Sequence, residues 1–206
     1  NQLSNIKTRI LLLLLCVLFS HAYMQLCAQT LDKRFASTNG EVYTSLQNGD
    51  TIYIGGNFTQ VGTGRKGLAK FNTGSDKPEI NFPELSGNDN AITMEPDGDG
   101  GFYLAGSFDS YDGSPITPTS IIHILNGGTI DPSFGTVTDA DNSLFALKKK
   151  GSRLYVGGGF NYIQGVYRPR LVALNASTGA LDNSWIPDVP GNQVLQIDAN
   201  DSSVFI

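Results

Sequence analysis

Residues 62–67 read GTGRKG, the G-x-G-x-x-G spacing that cradles a dinucleotide pyrophosphate. That chemistry needs a strand before the motif, a helix after it and an acid about 20 residues on. Here the strand-like stretch LAKFN follows, and the later copies of this region lack the motif, so it reads as a glycine-rich hairpin. EPDGDGG at 95–101 resembles the start of a calcium loop, and DADNS at 139–143 resembles it weakly. Calcium takes six to eight oxygens, and an EF-hand loop ends in a bidentate Glu; none follows Asp97 and Asp99 at that distance, so a tight turn accounts for both. His123 alternates with Ile122 and Ile124 and reads as a packed or solvated strand residue. With only His21 besides, there is no imidazole triad for zinc. No G-x-S-x-G nucleophile elbow occurs. Asp131 and Asp182 each stand three residues before an aromatic and read as turn caps. NFT (57–59) and NAS (175–177) fit the glycosylation sequon, a short pattern of little weight. The expectation is no catalytic, cofactor-binding or metal-ligating residue and no cofactor, with carboxylate pairs brought together by the fold as the one open route to hydrolysis.

The N-terminus says where the chain goes. Lys7 and Arg9 precede an unbroken apolar run over residues 10–19. A bilayer span takes roughly 20 apolar residues, so this run predicts no stable transmembrane anchor. A basic start, a short apolar core and a small residue near the end read as a secretory signal over residues 1–28, cleaved after Ala28, although Leu26 is large for its place. A buried N-terminal helix and a lipoprotein leader lipidated at Cys27 are the alternatives. Cleavage removes Cys16 and Cys27, leaving no disulfide and no thiolate metal site. It also removes Lys7 and Arg9, so the net charge falls below the −5 of the full sequence and nucleic acid is not an expected partner. All 24 glycines follow position 28, about twice the usual share, which points to many short strands and tight turns. The chain begins without Met and its last residues, VFI, break off inside a strand pattern, which reads as a fragment with further modules beyond Ile206.

The elements that must position any site come from a repeat. IYIGGNF (52–58), FYLAGSF (102–108) and LYVGGGF (154–160) recur at a period of about 50 residues, and SSVFI at the end starts the word again. Each unit carries four apolar segments. The first is EVYTSL, NAITM, NSLFAL or NQVLQI; the second is the glycine word; the third is GLAKFN, IIHILN or RLVALN, closed by Asn; the fourth is IDPSF or LDNSW, with INF as a degenerate first copy. No segment sustains helical spacing of apolar residues. Four antiparallel strands per unit is the blade of a β-propeller. The predicted fold is therefore all-β, an incomplete arc of about three blades (36–86, 87–138, 139–189) and the start of a fourth (190–206). A glycine word apolar on both faces predicts a strand packed between neighbours, its glycines allowing close approach or a bulge. LDKRF (31–35) is a stray fourth-strand word, predicted to be the outer strand of the closing blade, with Val204 to Ile206 an unpaired beginning.

LYVGGGF, RLVALN and LDNSW, in that order and spacing, resemble the delta-60 repeat family of bacterial β-propeller proteins over nearly all of the chain after the leader, and the glycine word alone also resembles kelch repeats. Ala105 replaces the first glycine of the second unit, and Asn81 stands where the first unit's acid is expected. The resemblance implies a secreted or surface-exposed propeller within a longer chain, and it brings no catalytic residues. The functional expectation is a non-enzymatic module contacting a protein or glycan; the alternative is a propeller hydrolase or lyase with an acidic site at the central channel.

Overall fold

The structure, a computed structural model, describes residues 37–206 apart from 63, 87–89, 135–136 and 138–139. The leader and the 31–35 word lie outside the described residues. Among the described residues no helix forms, and none is long and apolar enough to cross a membrane.

Each glycine word becomes the middle strand of an antiparallel sheet. In the first unit, β1 (Glu41–Asn48), β2 (Thr51–Asn57) and β3 (Leu68–Asn72) pair in that order. The second contains β4 (Leu85–Ser86), β5 (Asn90–Pro96), β6 (Phe102–Tyr111) and β7 (Ser114–Ile124), with β6 between β5 and β7 and its far end paired to β4. The third contains β8 (Leu144–Lys150), β9 (Arg153–Gly158), the two-residue strands β10 (Tyr162–Ile163) and β11 (Val166–Tyr167), and β12 (Leu171–Asn175), with β9 between β8 and β12. A last hairpin joins β13 (Asp198–Ala199) to β14 (Val204–Phe205). Val204 and Phe205 are thus paired, against expectation, because Asn200 closes the turn by accepting the N–H groups of Ser202 and Ser203.

The middle strands are buried on both faces. From β9, Leu154 and Val156, joined by Phe160, pack with Tyr103, Ala105 and Phe134 of the preceding unit. Tyr155 faces the other way, toward Val194 and Ile197. The same alternation sets Phe102, Leu104 and Phe108 against Tyr53 and Leu68. First strands follow one another, β1 against β5, β5 against β8 and β8 against β13.

The two glycines of the word do different work. A Cβ on Gly157 would lie 2.6 Å from Val194 Cγ1, and one on Gly55 would lie 2.7 Å from Ala91 Cβ. This glycine lets the next unit's first strand approach. The following glycine sits opposite a bulge. In each of the three larger sheets the first strand skips one residue against the middle strand, between Val42 and Thr44, Ala91 and Thr93, and Leu144 and Ala146. A Cβ on Gly56 would meet Glu41 O at 2.1 Å, and one on Gly158 would meet Ser143 O at 2.2 Å.

Three details differ from the sequence reading. First, the fourth segment is a lone bridge rather than a strand: Ile130 pairs with Ile124 and Leu181 with Leu174. Beyond it the chain turns, since Asp131 and Asp182 each accept the N–H two residues on (Ser133 and Ser184, both 2.8 Å) and Pro132 has no N–H to offer. Second, Tyr53, Tyr103 and Tyr155 oppose Lys70, His123 and Ala173, so Leu125, not Asn126, stands where Asn72 and Asn175 close their strands. Third, the first unit keeps its acid, at Glu79 rather than position 81. The N–H groups of Glu79, Asp131 and Asp182 donate to the carbonyls of Lys70, His123 and Ala173 at 2.8, 2.9 and 2.9 Å. The aromatic three residues later then meets the middle-strand tyrosine in all three units, Tyr53–Phe82 at 5.6 Å, Tyr103–Phe134 at 5.4 Å and Tyr155–Trp185 at 5.1 Å. Such ring pairs contribute about 0.5–1.5 kcal/mol each beyond their buried area.

The bulge glycines give a direct test. Gly56→Ala and Gly158→Ala are expected to lower the unfolding free energy by about 1–3 kcal/mol. Gly74→Ala and Gly127→Ala, where a Cβ meets nothing within 4 Å, are expected to change it by less than about 0.5 kcal/mol. Urea unfolding of the four variants measures both.

Candidate functional site

The acid of the fourth segment is held by a basic side chain in each of the three units. Lys70 Nζ lies 3.1 Å from Glu79 Oε2, His123 Nδ1 lies 2.9 Å from Asp131 Oδ2, and Arg153 Nε lies 2.8 Å from Asp182 Oδ2. The middle clasp is the most buried. His123 is 8% exposed, and its other nitrogen, Nε2, faces Asp97 Oδ2 at 3.0 Å. Its ring stacks on Tyr103 with centroids 4.4 Å apart. Asp97 in turn holds its own turn, Oδ1 accepting the N–H of Asp99 at 2.7 Å and of Gly101 at 2.9 Å. Both imidazole nitrogens thus face carboxylate oxygens, so the ring is engaged on each side within the protein. The N–H of Ser133, and then the His123 contact, hold the Asp131 carboxyl below the usual carboxylate range. The Tyr103 hydroxyl donates to the Ala176 carbonyl at 2.7 Å, linking the second and third units. Burial, and then Asp97, Asp131 and Asp99, push that phenol up to about 12.

A second charged row crosses units rather than staying within one. Leu46, Glu95 and Lys148 share a register position opposite the middle-strand tyrosines. Lys148 Nζ lies 3.8 Å from Glu95 Oε1 and 3.4 Å from Asp198 Oδ1. Glu95 Oε1 also accepts the Lys149 N–H at 3.0 Å. Burial is the main influence on Glu95 and raises its pKa. Carboxylates from different units do converge here, with an ammonium between them. Nearby, a cleft of about 650 Å³ opens between the 150–153 turn and the 200–201 turn, but its charged walls are already paired, Arg153 with Asp182 and Lys150 with Asp201.

The opposite ends of the sheets carry the connections from second to third strand. Residues 64–67 of the GTGRKG stretch belong to such a connection and run into β3, not a helix. Its Lys66 N–H donates to Glu84 Oε2 at 3.0 Å, and Arg65 Nη1 donates to the Ile80 carbonyl at 2.8 Å. Asp141, from the second calcium-like stretch, pins the third connection by accepting the N–H of Asn161 at 2.7 Å and of Tyr162 at 3.0 Å. Asn39 does the same for Thr59 and Gln60 in the first unit. Of the sequon residues, Asn175 caps its own turn by accepting the N–H of Ser177 and Thr178.

The structure therefore makes Asp131 and Asp182 turn caps, as read from sequence, and joins His123 to Asp97 and Asp131 in one buried line. Sequence reading missed Glu79, the Asn39 and Asp141 pins and the Glu95–Lys148–Asp198 row. Counting back three residues from Phe82 would have found the first of these.

Residues 152–184 match a family model described as a domain of unknown function (DUF5122) beta-propeller. The match runs from the β8–β9 turn through β12 to the third unit's fourth segment, in agreement with the propeller repeat read there. The crystal structure of the computationally designed Ika4 protein superposes with a TM-score of 0.55 at 10% identity, over 82% of this chain and 87% of that one. At that identity the likeness concerns the fold alone. No curated protein matches the sequence.

Two outcomes are expected at the clasps. His123→Ala removes a hydrogen-bond partner from both Asp97 and Asp131 and is expected to cost about 1–3 kcal/mol, whereas Lys70→Ala breaks a more exposed pair and is expected to cost about 0–1 kcal/mol; thermal and urea unfolding compare them. Asp131 and Asp182 are both held below their ordinary range. Their contribution is therefore complete above the unfolded carboxylate value near ~4 and is lost as pH falls below it. Asp131→Asn is expected to flatten the fall of the urea midpoint between about pH 5 and pH 2.

Proposed function

We propose that this chain is part of an exported β-propeller that binds and does not catalyse. The three sheets are read as three blades of four rows, the bridges at Ile130 and Leu181 being reduced fourth rows, and β13–β14 as the start of another blade. The family match over 152–184 supports extending the propeller plan to units built the same way. Export rests on the leader-like residues 1–28, and the place of action is the cell surface or outside the cell.

One observation carries binding over catalysis. The polar groups that recur with the repeat are engaged in holding the repeat together: Glu79, Asp131 and Asp182 in clasps, Asn39 and Asp141 in pins. The outward part of the connecting loops differs between units, with Ser110 and Pro115 in the second and Tyr162 and Tyr167 in the third. The expected ligand is a protein or a glycan, not a nucleic acid. Incubating the full-length secreted protein with intact cells and with soluble polysaccharides is expected to show saturable binding without release of reducing ends. Turnover of a bound polysaccharide would overturn the reading.

The Glu95–Lys148–Asp198 row supports a second reading, a hydrolase or lyase with carboxylates contributed by successive units. On that reading turnover is present and disappears in Glu95→Gln while the fold persists.

A further inference from the structure

Two units build the same hairpin and put different chemistry on it. In the second unit Ser110 opposes Pro115 and Tyr111 opposes Ser114 across Asp112 (φ 50) and Gly113 (φ 71). In the third, Tyr162 opposes Tyr167 and Ile163 opposes Val166 across Gln164 (φ 51) and Gly165 (φ 71). Positive φ at both central residues is the type I′ turn that matches strand twist. The inward members, Tyr111 and Ile163, are buried in both units. The outward pair is where they part. The second unit forms its hairpin with Ser110 and Pro115, so the hairpin does not require two tyrosines.

Those tyrosines are nonetheless displayed. Tyr162 is 48% exposed, Tyr167 58% and Val166 36%. The two rings lie 5.3 Å apart at 64°, forming a corner rather than a flat stack. The hairpin beneath is rigidly tied. Asp141 takes the N–H groups of Asn161 and Tyr162, and Arg170 Nη1 donates to Gly159 O, Phe160 O and Asn161 Oδ1 at 2.9, 2.8 and 2.9 Å. Next in the chain, Arg168 bonds the Tyr167 carbonyl (3.0 Å) and Asn183 Oδ1 (3.2 Å), which ties a guanidinium and an amide to the backbone that carries the second ring.

We propose that Tyr162 and Tyr167 form the binding platform for one pyranose ring of a glycan, with Arg168 and Asn183 meeting its hydroxyls. The inference rests on reading the chain as a binding module. A sugar presents a face of C–H groups, polarised positive, that suits the negative face of an aromatic ring. The patch is also the right size. A stable protein partner covers about 800 Å² and 20–30 residues a side, while the outward face of this hairpin offers two rings. Fixing the rings in advance removes ordering cost at binding.

The test uses the full-length protein on an array of gluco-, manno-, xylo- and N-acetylgluco-hexasaccharides, with titration calorimetry on the best probe. Binding is expected, weakened about 10-fold or more in Tyr162→Ala and in Tyr167→Ala, and retained in Tyr162→Phe and in Pro115→Ala on the companion hairpin. Circular dichroism checks that each variant is folded. A folded wild-type protein that binds no probe overturns the platform, as do alanine variants that bind like wild type or that lose a protein partner instead of a saccharide; none of these touches the binding reading itself. Hydrolysis of the probe overturns that reading instead.

Discussion

A first strand can lie against the neighbouring unit's middle strand only where that middle strand carries nothing larger than a methyl group. Gly157 supplies the gap for Val194, and Gly55 supplies it for Ala91. Where the second unit has Ala105, a methyl fits at 0% exposure in the cluster that includes Leu144 and Leu147. The next glycine lets the first strand bulge without a Cβ striking the Glu41 or Ser143 carbonyl. Close approach then buries the remaining faces of each glycine word, Leu154 and Val156 toward one neighbour and Tyr155 toward the other. Without small residues at those two positions, the apolar alternation on both faces would have no partner.

The clasps belong to a second level of organisation. Strands one to three are held by backbone ladders, but the fourth segment has one bridge, so side chains must fix it. An acid anchors its start and an aromatic its end, against a basic side chain and a tyrosine of the same unit. The three basic residues differ because their surroundings differ. Lys70 and Arg153 keep side-chain exposures of 19% and 40%, while His123 is enclosed by Tyr103, Phe134 and two carboxylates. A compact ring with two polar positions suits that enclosed place, where a long ammonium would need solvent for its remaining hydrogens.

Much of this was legible in the residues. The period, the middle strands, both uses of glycine and the turn-capping role of Asp131 and Asp182 follow from local spacing and composition. The fourth strand was overread because an acid two residues before a backbone N–H favours a turn, and Pro132 cannot extend a ladder. Aligning third strands on a terminal Asn misplaced Leu125, since the register is set by the tyrosine opposite and not by the closing residue. The Glu95–Lys148–Asp198 row was out of reach in another way. Its members share a position but not a charge sign, so a search for repeated chemistry passes over them. The tyrosine pair was hidden because nothing in one sequence says which aromatic of a repeat faces outward.

The most direct measurement is a double-mutant cycle between Gly157 and Val194, whose Cγ1 would stand 2.6 Å from an added Cβ. Gly157→Ala and Val194→Ala are each expected to destabilise the fold. Together they are expected to cost less than the sum, by more than about 0.5 kcal/mol, because trimming Val194 makes room for the new methyl. Strictly additive losses would mean that the two residues do not meet, and the packing of one unit on the next described here would be wrong.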